Sequence, residues 1–188
     1  MKEKKVDRRV IYTKMVIKES FIKLLQQKPI SKITIKEICE VADINRATFY
    51  SHYTDQYDLF QQIETGIIDE INHYISSYNL TDPSDAPIEM IIKILEFVKN
   101  NSEIFNLLLN NGDIRFQKEI TNIIGQQHFI PMNLDKESTR EDEYIFLFFA
   151  NGCIGIIKKW LMDGMEKPIR EIAELMLKLA IYGRSGVD

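Results

Sequence analysis

"TIKEICEVADINRATFYSHY", Thr34 to Tyr53, decides how the chain is read. Thr34-Ile35-Lys36-Glu37 has the form of a capping box: a hydroxyl accepts from the third amide of a helix, and a carboxylate three residues on reaches back. The helix it opens is interrupted at Ala42-Asp43-Ile44, and Asn45 stands where a second helix, running to about His52, needs its N-cap. Ile38, Cys39, Ala42, Ile44, Phe49 and Tyr53 form the inner set of such a pair, with Cys39 and Ala42 small enough for close crossing. Arg46, Ala47, Tyr50 and Ser51 project on the outer face of the second helix, with Thr48 and His52 at its edges. No carboxylate stands in this outward set; an acid there would repel phosphate. The spacing predicts a helix-turn-helix whose second helix faces a polyanion.

The charge distribution points the same way. The chain carries 24 Lys and Arg against 28 Asp and Glu, a net charge of −4. Residues 1–55 hold 12 basic against 7 acidic side chains and residues 56–188 hold 12 against 21, so a basic N-terminal third sits on an acidic body. A solvated charged face would give the same count, so the motif, not the charge, carries the reading.

With 188 residues, 45% of them hydrophobic and 28% charged, the composition is that of an ordinary globular chain of one large or two unequal domains. No run approaches the roughly 18–20 apolar residues that span a bilayer. No apolar segment with a small-residue cleavage site follows MKEKKVDRRV. The expectation is a cytoplasmic protein with no membrane partner, whose Cys39 and Cys153 are free, buried thiols.

Helical periodicity covers nearly all of the remainder. Residues 8–27 carry an apolar face closed by Pro29, and a longer helix over roughly 56–78 starts after a cap at Thr54 or Asp55. A two-proline loop from Leu80 to Pro87 precedes helices ending near Asn100, Asn110 and Gly125, with a turn at 111–113 and an irregular stretch at 126–138. From Thr139 to Met162 a helix is apolar all round in its middle and must be covered on every side. Ala150, Gly152 and Gly155 allow close helix approach, Gly164 ends the helix, and Pro168 opens a last helix ending near Gly183, before a frayed tail. The fold class is all-α, with about nine helices and no sheet.

"ITIKEICEVADINRATFYSHYTDQYDLF", Ile33 to Phe60, resembles the DNA-binding signature of the TetR family of transcriptional regulators. The resemblance implies a three-helix DNA-binding head over residues 1–55 and a helical dimerisation and effector-binding body over 56–188. It implies that Thr34 and Lys36 touch phosphates and that Asn45, Arg46, Ala47, Thr48, Ser51 and His52 belong to the helix placed in the major groove. Tyr50 matches the family's phosphate-reaching tyrosine, and the planar fork of Arg46 suits guanine O6 and N7. Two positions depart from the pattern. Asp43 replaces a usual Gly, and Asp tolerates the left-handed turn. Gln56 replaces a usual phosphate-binding Lys, which lowers non-specific affinity and its salt dependence unless the basic arm Lys2 to Arg9 compensates.

"FFANGCIGIIKKWLMDGMEKPIREIAELMLKL", Phe148 to Leu179, looks like the final two helices of a TetR subgroup. In the family these helices pair across a two-fold axis, which implies a homodimer interface with Phe148, Gly152, Gly155, Ile156, Ile172, Met176 and Leu179. The family's effector pocket implies candidates among His73, Tyr74, Phe97, Phe105, Phe116 and Phe149, although aromatic residues at helical spacing are more often core. The functional expectation is a regulator, commonly a repressor, that binds a palindromic operator on double-stranded DNA as a homodimer and is released by a small-molecule effector. The rival is a helical protein-interaction module or partner-dependent co-activator with weak DNA binding. No cofactor is expected, His73 and His128 have no zinc-like spacing, and no nucleophile–base pair or phosphate loop suggests an enzyme.

Overall fold

The computed structural model describes residues 8–77, 86–110, 114–126 and 140–183. Among them are nine α-helices and one short 3-10 turn, and no strand: α1 (Arg8–Leu25), the turn Ile30–Lys32, α2 (Ile35–Val41), α3 (Arg46–Tyr50), α4 (Gln56–Ser77), α5 (Ala86–Asn100), α6 (Ser102–Asn110), α7 (Ile114–Gln126), α8 (Arg140–Met162) and α9 (Ile169–Tyr182). The arm residues before Arg8, the loop from Leu80 to Asp85, the turn at 111–113, the irregular stretch with His128 and the tail beyond Gly183 lie outside the described residues.

The chain divides into two compact units, Met1–Ile67 and Ile68–Asp188, so the division falls inside α4. In the first unit α1, α2, α3 and the start of α4 enclose Ile17, Phe21, Ile33, Ile38, Phe49 and Leu59, all almost wholly buried. Phe21 meets Phe60 edge-on, with ring centroids 6.4 Å apart. α1 ends at Leu25, two residues short of the predicted end, and a turn in which Lys28 N–H donates to the Leu24 carbonyl at 3.1 Å carries the chain on to Pro29.

In the second unit α5 packs along α9, and α8 lies against α6, α7 and α9. Leu95, Val98, Ile104, Leu108, Ala150 and Ala173 form its most enclosed core. The α8–α9 turn is a Schellman motif: Gly164 takes φ +69°, Met165 N–H donates to the Trp160 carbonyl at 2.9 Å, and Gly164 N–H donates to that of Leu161 at 3.1 Å. Met165 follows, also left-handed at φ 59°. At the far end of α9, Gly183 comes so close to Phe149 that a Cβ there would stand 2.9 Å from the ring. Only a glycine fits that approach.

α8 departs from one expectation. Glu143–Met162 is the one described helix long and apolar enough, by length and composition, to cross a membrane, with a mean hydropathy of 1.5. Asn151, Lys158 and Lys159 interrupt its apolar run. Only 28% of that window is buried within the chain, so much of its apolar surface is uncovered.

Candidate functional site

The first unit builds its outward helix on three side-chain caps. Thr34 accepts from the Glu37 amide at 3.3 Å, and Glu37 Oε2 accepts from the Thr34 amide at 2.9 Å and from its hydroxyl at 2.8 Å, which completes the capping box. Lys28 reaches across to the other Glu37 oxygen. That ammonium, with the Thr34 amide and hydroxyl, holds the Glu37 carboxyl down at about 2. Asn45 Oδ1 accepts from Thr48 N at 2.8 Å and caps α3. Asp55 Oδ1 accepts from the amides of Tyr57 and Asp58, each at 2.8 Å, and caps α4.

The turn between α2 and α3 is fixed by a second Schellman motif. Ile44 N–H donates to the Cys39 carbonyl at 3.0 Å and Asp43 N–H to that of Glu40 at 3.4 Å. Asp43 occupies the left-handed position with φ 50°, where glycine is the usual occupant. Beneath it Cys39, Ala42, Phe49 and Tyr53 are buried, and Ile44 is partly buried. Burial pushes the Cys39 thiol up, against a smaller opposing pull from Arg46. Phe49 packs on Tyr53 with centroids 5.6 Å apart and edge-on to Tyr50 at 5.8 Å.

The candidate DNA-facing residues then separate by what their polar atoms do. Arg46, Ala47 and Tyr50 are exposed, and no ion pair engages Arg46 among the described residues. Ser51 is exposed, but its hydroxyl donates to the Thr48 carbonyl at 2.7 Å. Thr48 is half-buried, and its hydroxyl meets Asn45 Oδ1 at 3.1 Å. Thr34 is committed to the capping box. Lys36 is exposed and lies 3.6 Å from Glu40 in an i,i+4 pair. His52 and Gln56 are half-buried. Tyr57, next to Gln56, is 51% exposed and was not singled out from the sequence; a large aromatic one residue after a helix start is the signal that could have marked it.

In the second unit, Phe105, Phe116 and Phe149 line one cavity of about 110 Å³. His73, Tyr74 and Phe97 do not line it. They continue outward from it as a file of rings: Tyr74 to Phe97 at 5.5 Å, Phe97 to Phe105 at 5.8 Å, Phe105 to Phe116 at 6.3 Å. Most of the wall is aliphatic, including Ile71, Ile75, Leu95, Leu109 and Ile120, and sequence reading missed it because aliphatic lining looks like any core. Of the residues assigned to a dimer face, Phe148 is 76% exposed and Leu179 48% exposed. Gly152 and Gly155 have nothing among the described residues within 4 Å of where a Cβ would stand, so no described helix of the single chain packs closely against them. Ile156 is half-buried, Met176 lines the cavity, and Ile172 is sequestered within the chain's own core. No group of three potential metal ligands occurs among the described residues.

A capped helix-turn-helix preceding a larger helical unit is the architecture of a DNA-binding transcriptional regulator. Residues 22–63 match the family described as bacterial regulatory proteins, tetR family, and residues 85–182 match a transcriptional regulator C-terminal region of the same group. The chain belongs to the TetR family, whose members are non-enzymatic DNA-binding regulators. The uncharacterized HTH-type transcriptional regulator YxbF of Bacillus subtilis (strain 168) is 32% identical over 109 residues, 57% of this chain; the match spans only 29% of that relative's length. A TetR transcriptional regulator from Streptococcus agalactiae 2603V shares the fold with a TM-score of 0.65, covering 93% of this chain and 97% of its own at 22% identity. The regulator FadR from Bacillus subtilis, in complex with stearoyl-CoA, does so with a TM-score of 0.62, covering 90% and 98% at 13% identity.

Proposed function

We propose that the chain is a cytoplasmic, sequence-specific regulator that binds a palindromic operator as a homodimer and represses until an effector enters its second unit. The observation that carries this reading is the outer face of α3. Arg46, Ala47 and Tyr50 stand exposed on a short helix without a carboxylate, on a frame locked by three caps and a buried aromatic cluster. Arg46 reads a base edge. Tyr50 and Lys36 hold phosphates, and the helix amides position the chain. Thr34, Thr48 and Ser51 act chiefly by keeping the helix ends fixed.

Dimerisation is supported by the uncovered face of α8 and α9. Tyr144 and Phe148 are more than 70% exposed, as is Tyr182, and the open glycines Gly152 and Gly155 lie on the same helix as the first two. Exposed large apolar side chains of this kind mark a candidate interaction surface. A second copy would cover it, and its two-fold axis would set two recognition helices about one turn of DNA apart. The effector reading draws on FadR, a protein of this fold that holds a ligand with a long apolar chain. α4 contributes both to the first unit and to the wall of the cavity, so a ligand that favours one position of α4 would couple to DNA affinity.

The test is selection of bound duplexes from a random pool at several salt concentrations. The expected result is an enriched inverted repeat whose affinity falls steeply with salt. Failure to enrich any sequence, with only weak, salt-labile binding, would overturn this reading in favour of a protein-interaction module.

A further inference from the structure

We infer that the cavity of the second unit takes a compact, uncharged hydrocarbon group, a small ring or a short chain, with no ionised atom inside. The inference deepens the effector reading above and rests on it only for any consequence at DNA. All six helices from α4 to α9 contribute to the wall, through residues such as Ile71, Leu95, Phe105, Phe116, Cys153 and Met176. Every lining side chain among the described residues is hydrocarbon except for the sulfur atoms of Cys153 and Met176. The thiol stays neutral, because burial pushes it up from its ordinary value. Among the described residues no Lys, Arg, His, Asp or Glu lines the chamber, so a carboxylate, phosphate or ammonium drawn inside would lose its water and gain no partner from that wall.

Size narrows the class further. The chamber holds about 110 Å³. Drug-sized ligands occupy pockets of roughly 300–1,000 Å³, whereas a dry cavity of about 150 Å³ lined by Leu, Ile and Phe accepts benzene. A hydrocarbon of the right shape makes dispersion contacts with a lining of this kind. A larger ligand would enter with one apolar group and keep its polar part outside.

Toluene and benzoate separate this inference from its alternatives, since they match in shape and differ in charge. The full chain, without DNA, is followed by thermal unfolding and by the methyl resonances of its methionines. Toluene should raise the unfolding midpoint saturably and shift the Met176 methyl, leaving that of Met162, which is 69% exposed, in place. Benzoate should do neither. Ala180→Leu, which extends a lining residue into the chamber, should abolish the toluene response. The Met176 signal of the unsubstituted chain decides the matter even where that variant does not fold. Absence of a saturable Met176 shift, or an equal response to benzoate, would overturn the inference. These readouts use no DNA, so a failed operator selection leaves them standing, and their failure leaves the operator reading standing.

Discussion

The indole nitrogen of Trp160 donates to the carbonyl of Lys167 at 2.9 Å, tying the end of α8 to the residue before Pro168. Trp160 is buried and is the chain's sole tryptophan. Trp160→Phe removes the bond and leaves space behind the smaller ring. The expected cost is about 1–3 kcal/mol of stability, measured by urea unfolding followed by circular dichroism, since the fluorescent reporter is lost. A variant as stable as the parent would mean that Gly164 and Pro168 fix the turn unaided.

Arg46→Ala tests base reading. If the guanidinium grips a guanine, the variant loses about 1–3 kcal/mol on the preferred operator and relaxes discrimination at one position per half-site. Equal weakening on all duplexes would instead assign Arg46 to phosphate.

Gln56→Lys restores the charge that the family usually carries at the start of α4. One added phosphate contact should strengthen binding at low salt and steepen the slope of log affinity against log salt by about one unit. The neighbouring carboxylates of Asp55 and Asp58, both engaged with backbone amides, are the groups that would blunt the gain. Parallel salt titrations of the two proteins give the answer directly.

Acid should loosen the frame of the recognition helix. Glu37 has its carboxyl held down at about 2 from an ordinary 4.5. The folded value is the lower one, so the stabilisation is fully present above the ordinary value and drains away as pH falls from about 4.5 to about 2. A Glu37→Gln variant should lack this part of the acid dependence. Comparing unfolding midpoints of the two chains between those pH values isolates it. Identical acid profiles would show that Lys28 and Thr34 do not hold the carboxylate in solution.

Gly152→Leu sets two effects against each other. Within one chain there is open space at this position, and replacing a helical glycine favours the helix by about 0.8–1 kcal/mol. Between two copies crossing at the glycines, a leucine would hold the helices apart. Sedimentation should therefore find a well-folded chain with weakened self-association. Undiminished self-association would move the contact away from Gly152.

Much of the first unit could be read directly from residues. The Thr34–Glu37 box, the Asn45 cap and the left-handed turn at Asp43 are local events, set by side chains that bond their own backbone within three or four residues. The interior of the second unit was less legible. Phe97 and Phe105 look alike in a helical pattern, yet one borders the cavity and the other stands a ring further out. Ile172 and Leu179 share an apolar helix, yet one is inside the chain's own core and the other is exposed. Such distinctions depend on how helices rotate against neighbours far away in sequence, which periodicity does not encode. Met176, assigned from the sequence to a dimer face, lines the cavity.

If α8 pairs with a second copy as proposed, its apolar face links DNA binding to the chain's own abundance. In a single chain 28% of the Glu143–Met162 window is buried, and Tyr144, Phe148 and Met162 stand exposed. Where a second copy supplies the cover, mass action governs the species able to occupy an operator. At low copy number its amount rises with the square of chain concentration, so halving synthesis lowers it about fourfold. A gene controlled this way switches over a narrow range of regulator dosage, with no ligand required.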